Sequence, residues 1–148
     1  MAAPSTRTFR HTIRVPYAHV DRMAVVYYAN YFIYFEMARS EMLREAGTPY
    51  PEMEKRGIIL PVVSAHCDYK RPAHYDELLV VLSRCSIIRG IRLHIDYEIR
   101  RFASEARAPA AAASADEGEL LATGYTEHVG MSREGRVLRA VPELRKLL

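Results

Sequence analysis

From Tyr27 to Ala46 the chain contains neither proline nor glycine, and Gly47 followed by Pro49 supplies a stop, so the pattern predicts one long helix. Its first half is apolar nearly all the way round: Tyr28, Ala29, Tyr31, Phe32, Ile33, Tyr34, Phe35, Met37 and Ala38 leave little polar face. Charge returns only toward the C-terminal end. Such a helix has to be enclosed by other elements, and the remaining sequence offers only strands to enclose it.

The strand signals follow from alternation. Residues 7–15 place Phe9, His11, Ile13 and Val15 on one side and Arg10, Thr12 and Arg14 on the other, and Pro16 ends the run. Residues 17–26 read as loop, and 48–57 as loop with one helical turn around Pro51 to Arg56. Four further strands are expected at Ile58–Lys70, Glu77–Ile88, Ile91–Phe102 and Glu119–Met131. The third is the clearest, with Ile91, Leu93, Ile95, Tyr97 and Ile99 alternating with Arg92, His94, Asp96, Glu98 and Arg100, one face core and one wet. Arg89-Gly90 is short enough for a tight antiparallel hairpin. Residues 103–118, rich in alanine, read as a flexible hairpin extension, and Val137–Leu148 as a short terminal strand or helical turn. The expectation is a single α+β domain over residues 1–148, a curved antiparallel sheet wrapped around one central helix.

Composition narrows the function classes. At 148 residues, 49% hydrophobic and 26% charged, the chain belongs with globular proteins. No apolar run is long enough to span a membrane, and no apolar segment follows the basic residues of the N-terminus, so a cytoplasmic protein is expected. Cys67 and Cys85 lack CxxC spacing and read as buried free thiols. The net charge of +3 is spread along the chain, which argues against nucleic acid. The six histidines show no metal-ligand grouping, and His19 with Asp21 lacks a third ligand nearby, so neither metal nor redox cofactor is expected. Nucleophile-elbow, phosphate-loop and dinucleotide motifs are also absent from the sequence.

What remains is Asp21, a carboxylate in the loop that runs into the apolar helix. Two readings compete. Asp21 or Asn30 could cap a helical turn, worth about 1 kcal/mol. Alternatively, a free N–H at the helix start could polarise a substrate carbonyl while Asp21 activates water or attacks the carbonyl itself.

The run Asp21-Arg22-Met23-Ala24-Val25-Val26-Tyr27-Tyr28-Ala29-Asn30-Tyr31, followed by Phe35-Glu36-x-x-Arg39 and Leu43, resembles the hotdog-fold acyl-CoA thioesterases of the 4-hydroxybenzoyl-CoA thioesterase and YbgC-like group. The likeness continues in Leu60-Pro61-Val62-Val63, Tyr69-x-x-Pro72 with Asp76, Tyr97-Glu98-Ile99, Ala122-Thr123-Gly124, Thr126 and His128. The resemblance implies a hotdog fold, hydrolysis of an acyl-CoA thioester without a cofactor, and a homodimer or homotetramer with sites at the dimer interface. It assigns Asp21 as the catalytic acid and the Tyr28 backbone N–H as the carbonyl-polarising donor. Ala24 stands where the family often has glycine, so a positive φ there would strain the loop.

Further candidates for substrate contact are Tyr27, Asn30 and Tyr31 at the helix start, Ser64 and His66 on a buried strand face, and Lys70 and Arg71 toward the anionic end of coenzyme A, with Arg89 as another cation. Glu36 is the rival carboxylate, with pairing to Arg39 or Arg14 as its structural explanation. Acyl-carrier protein is an alternative carrier. Two other functions stay open: a hotdog dehydratase or hydratase using a histidine such as His66 beside Asp21 or Glu36, and a non-catalytic acyl-CoA or acyl-carrier-protein binding module.

Overall fold

A computed structural model describes residues 3–4, 7–88, 92–102 and 118–148, with residues 3–4 and 87–88 described by their backbone alone. Among these, the strands are β1 (Ala3–Pro4), β2 (Phe9–Arg14), β3 (Ile58–Ile59), β4 (Val62–Tyr69), β5 (Leu78–Ile88), β6 (Arg92–Phe102), β7 (Glu119–Val129) and β8 (Met131–Ser132). The helices are α1 (Asn30–Glu45) and α2 (Tyr50–Lys55), and a 3₁₀ segment at Pro142–Leu147 closes the chain. The main sheet is antiparallel in the order β1-β5-β6-β7-β4, with β2 also pairing along β5. β3 and β8 form a small second sheet. The α+β class and the hotdog arrangement follow. β5 and β6 pair up to Ile88 opposite Arg92, as a tight hairpin requires, although Arg89-Gly90 lies outside the described residues. So do residues 103–117, on which the expected extension falls.

α1 ends as its sequence predicts. Gly47 adopts φ +84°, and the N–H groups of Gly47 and Thr48 donate to the carbonyls of Arg44 and Leu43 at 3.0 and 2.9 Å, a Schellman closure. The start differs from the expected Tyr27. Residues 28–29 form a turn in which Asn30 N–H donates to Tyr27 O, and regular helix begins only at Asn30. The helix buries Tyr31, Tyr34, Phe35, Ala38, Met42 and Leu43, with the Phe35 ring stacked on Tyr97 at 4.4 Å. Its other side is only partly covered by the described residues: Ile33 and Met37 remain 45% and 36% exposed.

Two expected strands are interrupted. The first breaks at Leu60-Pro61 into β3 and β4, and the fourth at Gly130 into β7 and β8. β4 also carries a bulge, since Val62 lies opposite His128 but Ser64 lies opposite Glu127. One extra residue reverses the alternation, and Ser64, His66 and Asp68 therefore face away from the helix. The outer face is not uniformly wet either, because Val80, Leu82 and Phe102 form a second buried cluster there.

A polar relay lies within the core. His128 is fully buried, with Nδ1 3.1 Å from the Leu60 carbonyl and Nε2 2.9 Å from the Thr126 hydroxyl. A carbonyl only accepts, so Nδ1 carries the proton, Thr126 donates to Nε2, and Tyr97 O–H donates to Thr126 at 2.9 Å. Burial, with Arg39 3.4 Å from Nε2, pushes the His128 pKa down from the usual 6.5 to about 4. Between those values the unfolded chain binds a proton that the folded chain does not, so stability is complete above pH 6.5 and declines as the pH falls toward 4. The loss is expected to be on the order of 2–3 kcal/mol by pH 4. Urea unfolding at pH 7.5 and 4.5 checks it, and a His128→Gln variant should flatten this dependence.

Candidate active site

Asp21 sits on a miniature hairpin closed by the Val20–Val26 bridge. Asp21 N–H donates to Val25 O and Ala24 N–H donates to Asp21 O, both at 2.9 Å, the pattern of a turn followed by a left-handed residue. That residue is Ala24, at φ +62°. A β-carbon in this region costs about 1–2 kcal/mol, so the strain foreseen from the missing glycine is present. Ala24→Gly is expected to raise unfolding stability by about 1 kcal/mol, measured in urea, and no rise would show that the strain is relieved elsewhere.

The Asp21 carboxylate does not cap α1. Its Oδ1 accepts the Met23 N–H at 2.8 Å within its own turn, and Ala29 stands at the N-cap without a side-chain bond. Asn30 does not cap the helix either: its side-chain amide donates to the His19 carbonyl at 3.0 Å, the same oxygen that receives the Tyr27 N–H at 2.9 Å. These two bonds hold the acid-bearing hairpin against the helix start. The first turn contributes N–H groups of its own, and those of Tyr28 and Ala29 have no acceptor among the described residues.

The third component is the corner after β4. A bulge at Leu121 in β7 presents its carbonyl to the successive N–H groups of Lys70 and Arg71, at 2.8 and 3.0 Å. Arg101 holds the same corner by donating to Pro72 O and Glu77 at 3.1 Å and to Glu119, while Arg71 pairs with Glu119 at 3.3 Å. The corner is joined to the Asp21 hairpin by the Val25–His74 bridge and by Val26 N–H donating to Ala73 O at 2.8 Å.

These segments border an open cavity of about 300 Å³ lined by Asp21, Met23, Val25, Val26, Tyr28, Tyr31, Tyr69, Lys70, Arg71 and Pro72. Its walls are chiefly apolar and aromatic, with the carboxylate and two cations as the charged groups. Of the residues singled out from sequence, Asp21, Tyr28, Tyr31, Lys70 and Arg71 meet there. Tyr27 lies outside, its ring 4.6 Å from that of Tyr28, and Asn30 serves the hairpin. Ser64 and His66 are carried to the outer face by the β4 bulge, where His66 pairs with Asp68 at 3.1 Å and stacks on Tyr125. Glu36 is exposed and accepts the Ser40 hydroxyl at 3.1 Å. Arg89 lies outside the described residues. Sequence reasoning did not select Met23, Val25, Val26, Tyr69 and Pro72 as site residues, although Tyr69 and Pro72 stand in the quoted Tyr-x-x-Pro run.

Cys85 is buried and Cys67 half-buried, both free, and desolvation raises their thiols to about 12 and about 11, which keeps them protonated at neutral pH. No helix among the described residues is long and apolar enough to cross a membrane.

Comparison with known proteins bears on the family and the fold. The sequence profile of the thioesterase-like superfamily matches residues 15–146. The chain is 38% identical over 93 residues to YneP of Bacillus subtilis, provisionally named an acyl-CoA thioesterase, covering 63% of this chain and 67% of the relative. It is 32% identical over 89 residues to the acyl-CoA thioester hydrolase YbgC of Escherichia coli, covering 60% of this chain and 66% of that one. Among solved structures it is similar to the DHNA-CoA thioesterase of Staphylococcus aureus, with a TM-score of 0.75, 30% identity, and coverage of 89% of this chain and 80% of that one. The hotdog resemblance read from the Asp21–Tyr31 run thus holds across nearly the whole chain, and the protein belongs to the thioesterase-like superfamily, an enzyme class of thioester hydrolases.

Proposed function

We propose that this protein hydrolyses an acyl-CoA thioester to a free acid and coenzyme A, with Asp21 as the reacting carboxylate and the Tyr28 N–H as donor to the thioester oxygen. The observation that carries the reading is that Asp21 and Tyr28, whose N–H has no acceptor among the described residues, line one largely apolar cavity. The apolar walls suit the acyl group of a thioester. As the carbonyl carbon becomes tetrahedral, its oxygen gains negative charge, which a backbone donor at a helix start stabilises without reorganising. Asp21 either removes a proton from an attacking water or adds to the carbon directly. Trapping an acyl-enzyme anhydride with hydroxylamine under single turnover would assign the second route.

Lys70, which has no ion-pair partner among the described residues, and Arg71 stand at the cavity wall and suit the phosphates of coenzyme A. An acyl-carrier protein would present a phosphopantetheine phosphate to the same corner. The dehydratase reading loses its histidine, because His66 faces away from the cavity. A dimer is part of the proposal: β4 ends the sheet order, exposes Val62 and Val63 at 49% and 48%, and supports pairing with a second copy.

Free thiol release from a panel of short, long and aromatic acyl-CoAs tests the activity, and light scattering tests the assembly. Tight acyl-CoA binding without thiol release would instead favour the non-catalytic binding module.

A further inference from the structure

The two unengaged donors at the start of α1 belong to successive peptide planes. In a trans peptide the N–H points opposite to the C=O, so fixing the oxygen fixes the direction of the hydrogen. The plane that carries the Tyr28 N–H is fixed through Tyr27 O, which accepts the Asn30 N–H at 2.9 Å. The next plane, which carries the Ala29 N–H, is fixed through Tyr28 O. That oxygen receives only a long backbone bond, from Tyr31 N–H at 3.3 Å, at a point where the chain has not yet entered regular helix. The shorter bond comes from outside the helix: the Tyr69 hydroxyl, at the end of β4, donates to it at 2.9 Å.

We propose that Tyr69 is a positioning residue, whose hydroxyl clamps the Tyr28 carbonyl and so holds Tyr28, which supplies the donor N–H, in the turn beside the cavity that Tyr69 itself lines. This rests on the thioesterase reading of the same site. Several observations support the assignment. The Tyr69 ring packs edge-on against Tyr31 at 4.9 Å and Tyr28 at 6.5 Å, which fixes the direction of the hydroxyl. Desolvation raises the phenol to about 12, so it remains a donor through the neutral range. The strand end that carries it is anchored by Lys70 and Arg71 on the β7 bulge, so the clamp is held from rigid sheet rather than from a free loop. Misaimed donors weaken the interaction with a charge that develops only in the transition state, while ground-state binding by the walls persists.

The test compares the wild-type protein with Tyr69→Phe, which deletes one oxygen and keeps the ring, and with Tyr125→Phe on the outer face as control. For the best acyl-CoA of the panel, Tyr69→Phe is expected to lower kcat roughly tenfold with KM within about twofold, and Tyr125→Phe to change neither. Amide hydrogen exchange supplies a readout independent of turnover: the Tyr31 N–H, which shares the Tyr28 acceptor, should exchange roughly tenfold faster in Tyr69→Phe, with the sheet amides unaltered. Unchanged kcat in an active Tyr69→Phe protein, a change confined to KM, or unchanged exchange at Tyr31 overturns the assignment and leaves the thioesterase reading intact. Absence of thiol release from any acyl-CoA by the wild-type protein overturns both.

Discussion

Asp21→Asn is expected to lower kcat/KM toward acyl-CoA by about 10³-fold while leaving the fold in place. Asparagine keeps an oxygen where Oδ1 accepts the Met23 N–H at 2.8 Å, so the turn retains its internal bond. What disappears is the carboxylate charge, and with it the ability to take a proton from water or to attack a carbonyl carbon. The expectation for thermal unfolding is a shift of no more than about 2 °C, because α1 takes no capping bond from this side chain. Steady-state thiol release together with a melting curve separates the chemical role from a structural one. Full activity in a destabilised variant would return Asp21 to the structural reading.

The largest stability effect is expected at Gly124. A β-carbon there would enter the van der Waals shell of the His66 carbonyl oxygen and lie 2.7 Å from two ring carbons of Phe35. The oxygen belongs to the paired strand β4, and the ring is locked between the helix and Tyr97, so neither neighbour can withdraw cheaply. Gly124→Ala should therefore cost about 3 kcal/mol, lowering Tm by roughly 10 °C in a domain of this size. Leucine in place of Phe35 would open space near the new methyl group, so the double variant should recover part of the loss. A Gly124→Ala protein that melts with the wild type would mean that the helix can lift off the sheet without penalty.

The elements of the fold were legible because their periodicities are strong. The alternation from Leu93 to Ile99 and the uninterrupted stretch after Tyr27 each admit one reading, and both are present. Asp21 and the Tyr28 turn were legible as neighbours because they are close in sequence and carry a family pattern. The faces of β4 were not. A single extra residue near Val63 turns Ser64 and His66 outward, and residue types alone do not reveal a bulge. The Tyr69 clamp was equally hidden, since a tyrosine's acceptor 41 positions away is decided by how the strand end meets the helix start. The partly covered Ile33–Met37 side of α1 also escaped notice, because an apolar surface in sequence does not say whether its cover comes from the same chain.

The order of elements has a consequence for biosynthesis. α1 precedes in the chain the four long strands that cover it, and β4 finds its partner only in β7, so the enclosure of an emerging helix stays incomplete until Val129 has been made. At translation rates of about 5–20 residues per second that interval lasts roughly 4–17 seconds. During it, Tyr31, Phe35, Met42 and Leu43 present a sticky stripe that β2, joined after Ile88 by β5, hides only in part. A nascent chain of this layout exposes apolar surface for longer than one whose sheet is synthesised first.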